Sequence, residues 1–276
     1  TNPVVLLFTQ PLIGASADAA HHEAARFCGF DTNAMVNERS LTEITFAALL
    51  GLEPNEQDLF VFQTLIGLLL TNGPGAISAQ GAKGAVSADG PESPERVQLN
   101  KALIGFLTHT GYTHGGNGYE GIAFLNEQFR ESRLEDPGRR EHGIDLKALA
   151  ARAVQRYAEY KAQRKNTGSL DIAKIPGVNH PVFKDKPVNH DPREVFIADL
   201  FARRGDYNVF HEFYRVLVQT LFDAGVSRNV YCVNIDAVIA ALLLKMLWLP
   251  LRRGQYSERD LETAAFTIFL YPRMLG

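Results

Sequence analysis

Cysteine is nearly absent. Cys28 and Cys232 are the only two in 276 residues, far apart and in apolar surroundings. A disulfide framework is therefore excluded, and the pair fits a reducing cytoplasm. Charge of either sign is not in surplus, with a net charge of −3. That leaves no basic footprint for a nucleic acid. Long uncharged apolar runs are also missing. The longest candidate, VIAALLLKMLWLPL at 238–251, is interrupted by Lys245 and Pro250 and is too short for a membrane span. It reads as a buried helix. The amino terminus, TNPVVLLFTQPLIG, has no basic region followed by a cleavage signal, so no secretion is expected. No phosphate-binding loop is present either. Lys83 in QGAKGAV lacks the Gly-x-x-x-x-Gly-Lys-Ser/Thr pattern and reads as a solvated lysine.

What is present is helix. SLTEITFAALLGL (40–52) opens with Ser40 and carries Glu43 three residues on, a capping-box signature. NEQDLFVFQTLIGLLLTNG (55–73) is apolar nearly all round, which predicts a central buried helix. The small residues of 74–88 allow close helix contact. Further amphipathic runs follow at 90–111 and 117–133. From 131 to 175 the composition turns charged around one helical stretch, DLKALAARAVQRYAEYKAQ, expected in a smaller lobe or outside the main core. VNHPVFKDKPVNHDPRE (178–194) reads as a loop. NVYCVNIDAVIAALLLKMLWL begins with a short β-like piece and continues as a long helix. SERDLETAAFTIFLYPRMLG closes the chain with a helix capped by Ser257 and Asp260. With no repeat and no sustained alternation, the fold class is all-α.

Three polar segments interrupt these helices: GYTHGGNGYEG, IPGVNHPVFKDKPVNHDPRE and CVNIDAVIAA. They offer His114, His180 and Asp236. Histidine is the usual group for moving a proton near neutral pH. A poorly solvated aspartate gains proton affinity, which suits a base. Two histidines and such a carboxylate suffice for enolate chemistry, with one group removing a proton beside a carbonyl and another stabilising the oxyanion. Each residue also has a plainer reading. His114 can be an ordinary turn residue and His180 a loop cap through backbone hydrogen bonds. Asp236 can be a helix N-cap, the usual role of Asp before an apolar helix. Capping and catalysis are compatible. His21, His22 and Glu23 do not make a metal site, because neighbouring histidines share no helix face and no third ligand follows.

These segments, in this order, resemble citrate synthase and the citryl-CoA lyase module of ATP-citrate lyase. HGGN (114–117) is similar to the family's His-Gly-Gly or His-Gly-x-Ala-Asn turn. GVNHPVFKDKPVNHDPR (177–193) is similar to its Gly-His-x-x-x-Arg…Asp-Pro-Arg segment, and NID (234–236) to Asn-Val-Asp. LLTNGPGAISAQGAKGAV (69–86) resembles Asp-His-Gly-Pro-Ala-Val-Ser, and YPRMLG (271–276) an Arg-x-x-Gly segment. The resemblance implies a citrate synthase-like helical fold with a large domain, 1–130 and 220–276, and a smaller lobe, 131–219. It implies that His114 stabilises a thioester enolate, that Asp236 moves the methyl proton, and that His180 acts on the second substrate's oxygen. Arg193 and Arg273 would hold substrate carboxylates, where a planar bidentate donor fits. The backbone of Ile175, Pro176, Gly177 and Val178 would lie close to coenzyme A.

The implied function is to join or split an acyl-CoA and a 2-oxo acid, for example citryl-CoA to acetyl-CoA and oxaloacetate. The CoA thioester is a substrate, with no tightly bound cofactor. The implied protein is a cytoplasmic homodimer or higher oligomer, with no nucleic-acid or membrane partner. The alternative is a catalytically silent, CoA-thioester-binding regulatory or partner subunit. Asn72 stands where the family has a histidine that helps hold the oxo acid, which implies an altered second substrate. Pro181 follows His180 where relatives carry Gly or Arg, and an insertion lengthens the loop before Asp191. No ATP-grasp or phosphohistidine segment is present in the chain.

Overall fold

The structure is a computed structural model that describes residues 13–14, 26–27, 30–70, 73, 75–88, 98–111, 114, 117–167, 175–178, 188–226 and 231–275. Eleven helices and five strands of two or three residues occur among them. The all-α expectation holds. The chain forms two compact units, residues 1–117 with 257–276, and residues 118–256.

The first unit holds β1 (Ile13–Gly14), β2 (Arg26–Phe27) and β3 (Phe30–Asp31), a small antiparallel sheet, followed by α1 (Thr32–Glu38). Next come α2 (Leu41–Leu50), α3 (Glu56–Leu70), α4 (Ile77–Ser87) and α5 (Leu99–Thr108), with α11 (Glu258–Leu275) returning from the far end of the sequence. The capping box read at Ser40 is present: Glu43 N–H donates to Ser40 Oγ at 3.2 Å, and Ser40 N–H to Glu43 Oε2 at 2.7 Å. The same exchange starts α11, with Ser257 N–H donating to Asp260 Oδ2 at 2.7 Å.

Helix α3 packs on α2 and α11, with Phe62 edge-on to Phe46 at 5.2 Å between ring centres. It is not buried all round, as its apolar composition predicted. Val61, Phe62, Leu65 and Leu69 are buried, while Gln63 and Gly67 face solvent. One stripe suffices when a helix meets its neighbours from one side.

The α4–α5 pair uses its small residues as expected. A methyl group at Gly105 would strike the Gly81 carbonyl oxygen and come 2.7 Å from the Ala85 Cβ. The two backbones therefore touch directly.

The second unit is built round α10 (Ile235–Arg252), which buries Ala237, Val238, Ala240–Leu244 and Met246–Trp248. Against it lie α6 (Asn117–Phe129), α8 (Pro192–Arg204) and α9 (Val209–Asp223). Polar ties fix the packing. Asn208 caps α9 and reaches Ala241 O at 2.9 Å, and Trp248 Nε1 donates to Leu134 O at 2.9 Å. The charged 131–175 segment contains the helix its sequence predicts. Its helix α7 (Leu146–Thr167) buries Leu149, Ala150, Ala153 and Val154 and packs on α9, while its charged face looks outward. Part of the 178–194 loop is strand. β4 (Val188–His190) pairs in parallel with β5 (Tyr231–Val233), in the register Asn189 to Cys232.

Glycine in a helix interior normally costs about 0.5–1 kcal/mol relative to alanine. Gly84→Ala, with nothing within 4 Å of the added methyl, should stabilise by about that amount. Gly105→Ala should instead destabilise by about 1–3 kcal/mol through overpacking. Denaturant midpoints of the two variants check the contrast.

Candidate active site

In the first unit, His114 lies on a short loop closed at both ends. Gly111 N–H donates to His114 O at 3.0 Å, and His114 N–H to Gly111 O at 3.1 Å. This double bond pins the histidine backbone three residues ahead of α6. Its ring is held as well. Nε2 lies 2.9 Å from Ser78 Oγ, a hydroxyl buried in the first turn of α4, and the ring stands edge-on to Phe269 at 5.7 Å. Arg273, one turn along α11 from Phe269, places its guanidinium 5.0 Å from the centre of the same ring. The structure thus brings His114 and Arg273 into one cluster. Burial, and after it the positive charge of Arg273, hold the imidazole below its ordinary pKa. His114 is therefore neutral at pH 7.

In the second unit, Asp236 stands in the first turn of α10, but it is not the cap. Asn234 is the cap, and its Oδ1 accepts the N–H groups of Asp236 at 3.0 Å and Ala237 at 3.2 Å. The plainer reading of Asp236 as N-cap is thereby corrected. The helix start is satisfied two residues earlier. The predicted CoA segment packs directly on this turn. Asn234 N–H donates to Gly177 O at 3.0 Å, and Val178 bridges to Val233. Gly177 has φ +78, and a side chain there would sit 2.6 Å from the Ala237 Cβ, so only glycine fits.

Arg193 belongs to the same neighbourhood. Its position at a helix start is unfavourable for a cation, and the structure supplies the compensation. Asp191, fully buried, caps α8 through Arg193 N–H at 2.9 Å. It also takes the guanidinium fork, Nε at 3.0 Å and Nη2 at 2.7 Å. That hydrogen bond, followed by the charges of Asp191, Asp236 and Cys232, outweighs burial and raises the guanidinium's proton affinity further. Asp236 and Arg193 are thus within electrostatic reach of each other. Next along α8, buried Glu194 accepts from His211 Nε2 at 2.8 Å and Arg215 Nε at 2.9 Å, tying α8 to α9. His180 and Asn72 lie outside the described residues, as do His21, His22, Glu23 and Cys28.

No family model and no curated protein matches the sequence. Solved structures do. Citryl-CoA lyase from Hydrogenobacter thermophilus superposes with a TM-score of 0.64 at 18% identity, covering 91% of this chain and 78% of that one. ATP citrate lyase from Methanothrix soehngenii, in complex with citrate and coenzyme A, gives 0.57 at 15% identity. ATP citrate lyase from Methanosaeta concilii, a variant in complex with (3S)-citryl-CoA, gives 0.56 at 15% identity. This is the citrate synthase-like fold. Each ATP citrate lyase match covers 91% of this chain, which spans about a third (36%) of those longer chains. The likeness expected from the sequence motifs is therefore a likeness of fold.

Several residues that matter here were not singled out in the sequence. Ser78 lies inside the quoted AISAQG stretch, yet only the folded chain shows it meeting His114, 36 residues away. Asn234 carried a readable signal, since an Asn just before an apolar helix is a preferred cap. Tyr214 carried none. It is fully buried on α9, and its hydroxyl has no hydrogen-bond partner among the described residues. Such an orphan costs about 1–3 kcal/mol.

Among the described residues no cluster suits a metal ion, and no helix is long and apolar enough to cross a membrane. The Glu194 cluster generates a pH prediction. Burial raises its carboxyl, but His211 and then Arg215 outweigh that and hold it below the usual range. A depressed folded pKa stabilises above the unfolded value, about 4.3, and that contribution is lost as pH falls through the folded one. Glu194→Gln should therefore lower stability at pH 7, by about 3–5 kcal/mol if the pair behaves as a broken buried bridge. The deficit should shrink as pH drops below about 4. Denaturant midpoints of both proteins across this range measure it.

Proposed function

We propose that the chain makes or breaks a carbon–carbon bond between an acyl-CoA and a 2-oxo acid, in the manner of citryl-CoA lyase or citrate synthase. The observation that carries the reading is the neutral, rigidly held imidazole of His114. A thioester enolate needs a donor of matched proton affinity, and a neutral imidazole is closer to it than an imidazolium. In this reading Ser78 donates to Nε2, which leaves the ring proton on Nδ1 for the thioester oxygen.

The steps are the same in both directions. In cleavage, His180 accepts the proton of the tertiary hydroxyl as the bond breaks. The electrons of that bond become the enolate of the leaving thioester, and His114 stabilises its oxygen. Asp236 then delivers a proton to carbon. In synthesis, Asp236 removes the methyl proton and the order reverses. The chemistry requires both groups to act on one thioester. Asn234 supports this role for Asp236 by satisfying the helix start in its place. The Ile175–Val178 backbone, tied to the same cap, is the surface for the CoA thioester. Arg193 offers its Nη1 to a substrate carboxylate while Asp191 grips its other edge, and Arg273 offers a second cationic contact. Asn72, uncharged where a histidine would stand, implies an acid other than oxaloacetate or a different pose for it.

A homodimer completes the reading, with 131–219 as the smaller lobe and the cytoplasm as its location. The exposed apolar residues Ile77 on α4 and Leu99, Ile104 and Leu107 on α5 support an interface there. An active species that sediments as a monomer would contradict it.

The alternative class, a silent CoA-thioester-binding subunit, draws on Asn72 and the lengthened loop. Binding of CoA by calorimetry is expected under both readings. Only the enzyme releases free thiol when acetyl- or propionyl-CoA meets a 2-oxo acid, or forms acetyl-CoA from citryl-CoA. His114→Ala should lose about 10²–10³ in turnover, with CoA binding little changed. Turnover close to the parent's would remove His114 from the chemistry.

A further inference from the structure

Tyr214 is a buried titratable group for which the proposed mechanism has no use. Its side chain is fully enclosed, and its hydroxyl makes no hydrogen bond among the described residues. Phenylalanine would fill the same space without an orphan donor, so the oxygen does nothing for packing. Its location is specific. A methyl group built on Gly121 of α6 would lie 3.3 Å from the Tyr214 hydroxyl, 2.7 Å from the Ala240 Cβ and 3.7 Å from the Asp236 carbonyl oxygen. One built on Gly177 would lie 3.1 Å from the Tyr214 ring. Two glycines therefore let the ring slide beneath the CoA segment and against the first turn of α10.

We propose that Tyr214 is a positioning residue for Asp236, its hydroxyl acting from inside the core as a dipole that favours the charged carboxylate. The inference rests on the reading of Asp236 as the proton carrier. Burial and then the Asp236 charge both push the phenol's proton affinity up, so Tyr214 is a donor at every working pH. The other charged and titratable groups round this point are Arg193 and Asp191 at the head of α8, and Cys232 on β5. Glu194, with its partners His211 and Arg215, lies between α8 and α9. Arg193 heads α8 within electrostatic reach of Asp236, and Tyr214 sits in the core beside the backbone of the same first turn of α10. A carboxylate flanked this way returns to its charged state after each proton delivery.

The test is Tyr214→Phe, followed first without any assay of turnover. Melting temperatures of parent and variant are compared from about pH 7 down to about pH 4, where carboxylates titrate. The parent alone has the hydroxyl's support for charged Asp236, and it loses that support as the carboxylate protonates. The difference should therefore move in the variant's favour by a few degrees as pH falls, roughly 2–4 °C if the interaction is typical. In an Asp236→Asn background the same difference should be flat with pH. A difference that ignores pH, or one that keeps its pH dependence without Asp236, overturns the inference. In turnover, the variant should lose about tenfold in kcat with KM for the thioester unchanged, because an enclosed group touches no substrate. A parent protein with no thioester chemistry would refute the proposed function, while the melting comparison would still decide the role of Tyr214.

Discussion

A helix buried on every side can carry working polar groups only at its ends, and α10 imposes that constraint on the second unit. From Ala237 to Trp248 nearly every side chain is enclosed. The charge the helix does carry there, Lys245, is half-buried and donates from Nζ to Tyr207 O at 2.7 Å, and a further one would meet a large desolvation penalty. The first turn is the exception. Four N–H groups need acceptors, and the positive end of the helix favours a carboxylate. Asn234 supplies the cap, Gly177 supplies the carbonyl that holds Asn234, and Asp236 follows in the turn so prepared. The proposed CoA segment, the cap and the proposed proton carrier are one hydrogen-bonded unit.

The first unit solves a different problem, that of holding one imidazole neutral and still. Glycines around His114 would leave its backbone loose, but the double hydrogen bond to Gly111 closes the loop. Ser78 fixes one ring nitrogen, Phe269 limits the ring's tilt, and Arg273 discourages protonation. The same arginine is the one proposed to meet an anionic substrate, which would give one side chain two roles.

The sequence made helices legible wherever the signal was local. The boxes at Ser40 and Ser257 close within a few positions, and the apolar run of α10 and the small residues of α4 announce burial and close contact through composition alone. It was less legible where the answer came from across the chain. Helix α3 is apolar almost throughout yet buried on one face, because composition does not say how many neighbours arrive. The charged face of α7 suggested separation, while four small and aliphatic residues on its other side dock it to α9. Of the site, His114, Asp236 and Arg193 could be named in advance through motifs. Asp191, two residues from Arg193 in the same motif, was equally local, whereas Ser78 meets His114 across 36 residues and shows as its partner only after folding.

The central claim is that this chain enolises a CoA thioester through His114 and Asp236. Incubation of acetyl-CoA with the protein in deuterium oxide, followed by NMR of the methyl signal, tests it without knowledge of the second substrate. The account predicts loss of methyl protons to deuterium in the parent, with an unreactive analogue of a 2-oxo acid present if closure is needed. It predicts no such exchange in His114→Ala or Asp236→Asn. Binding of acetyl-CoA without any exchange, under the same range of acid analogues, would contradict it.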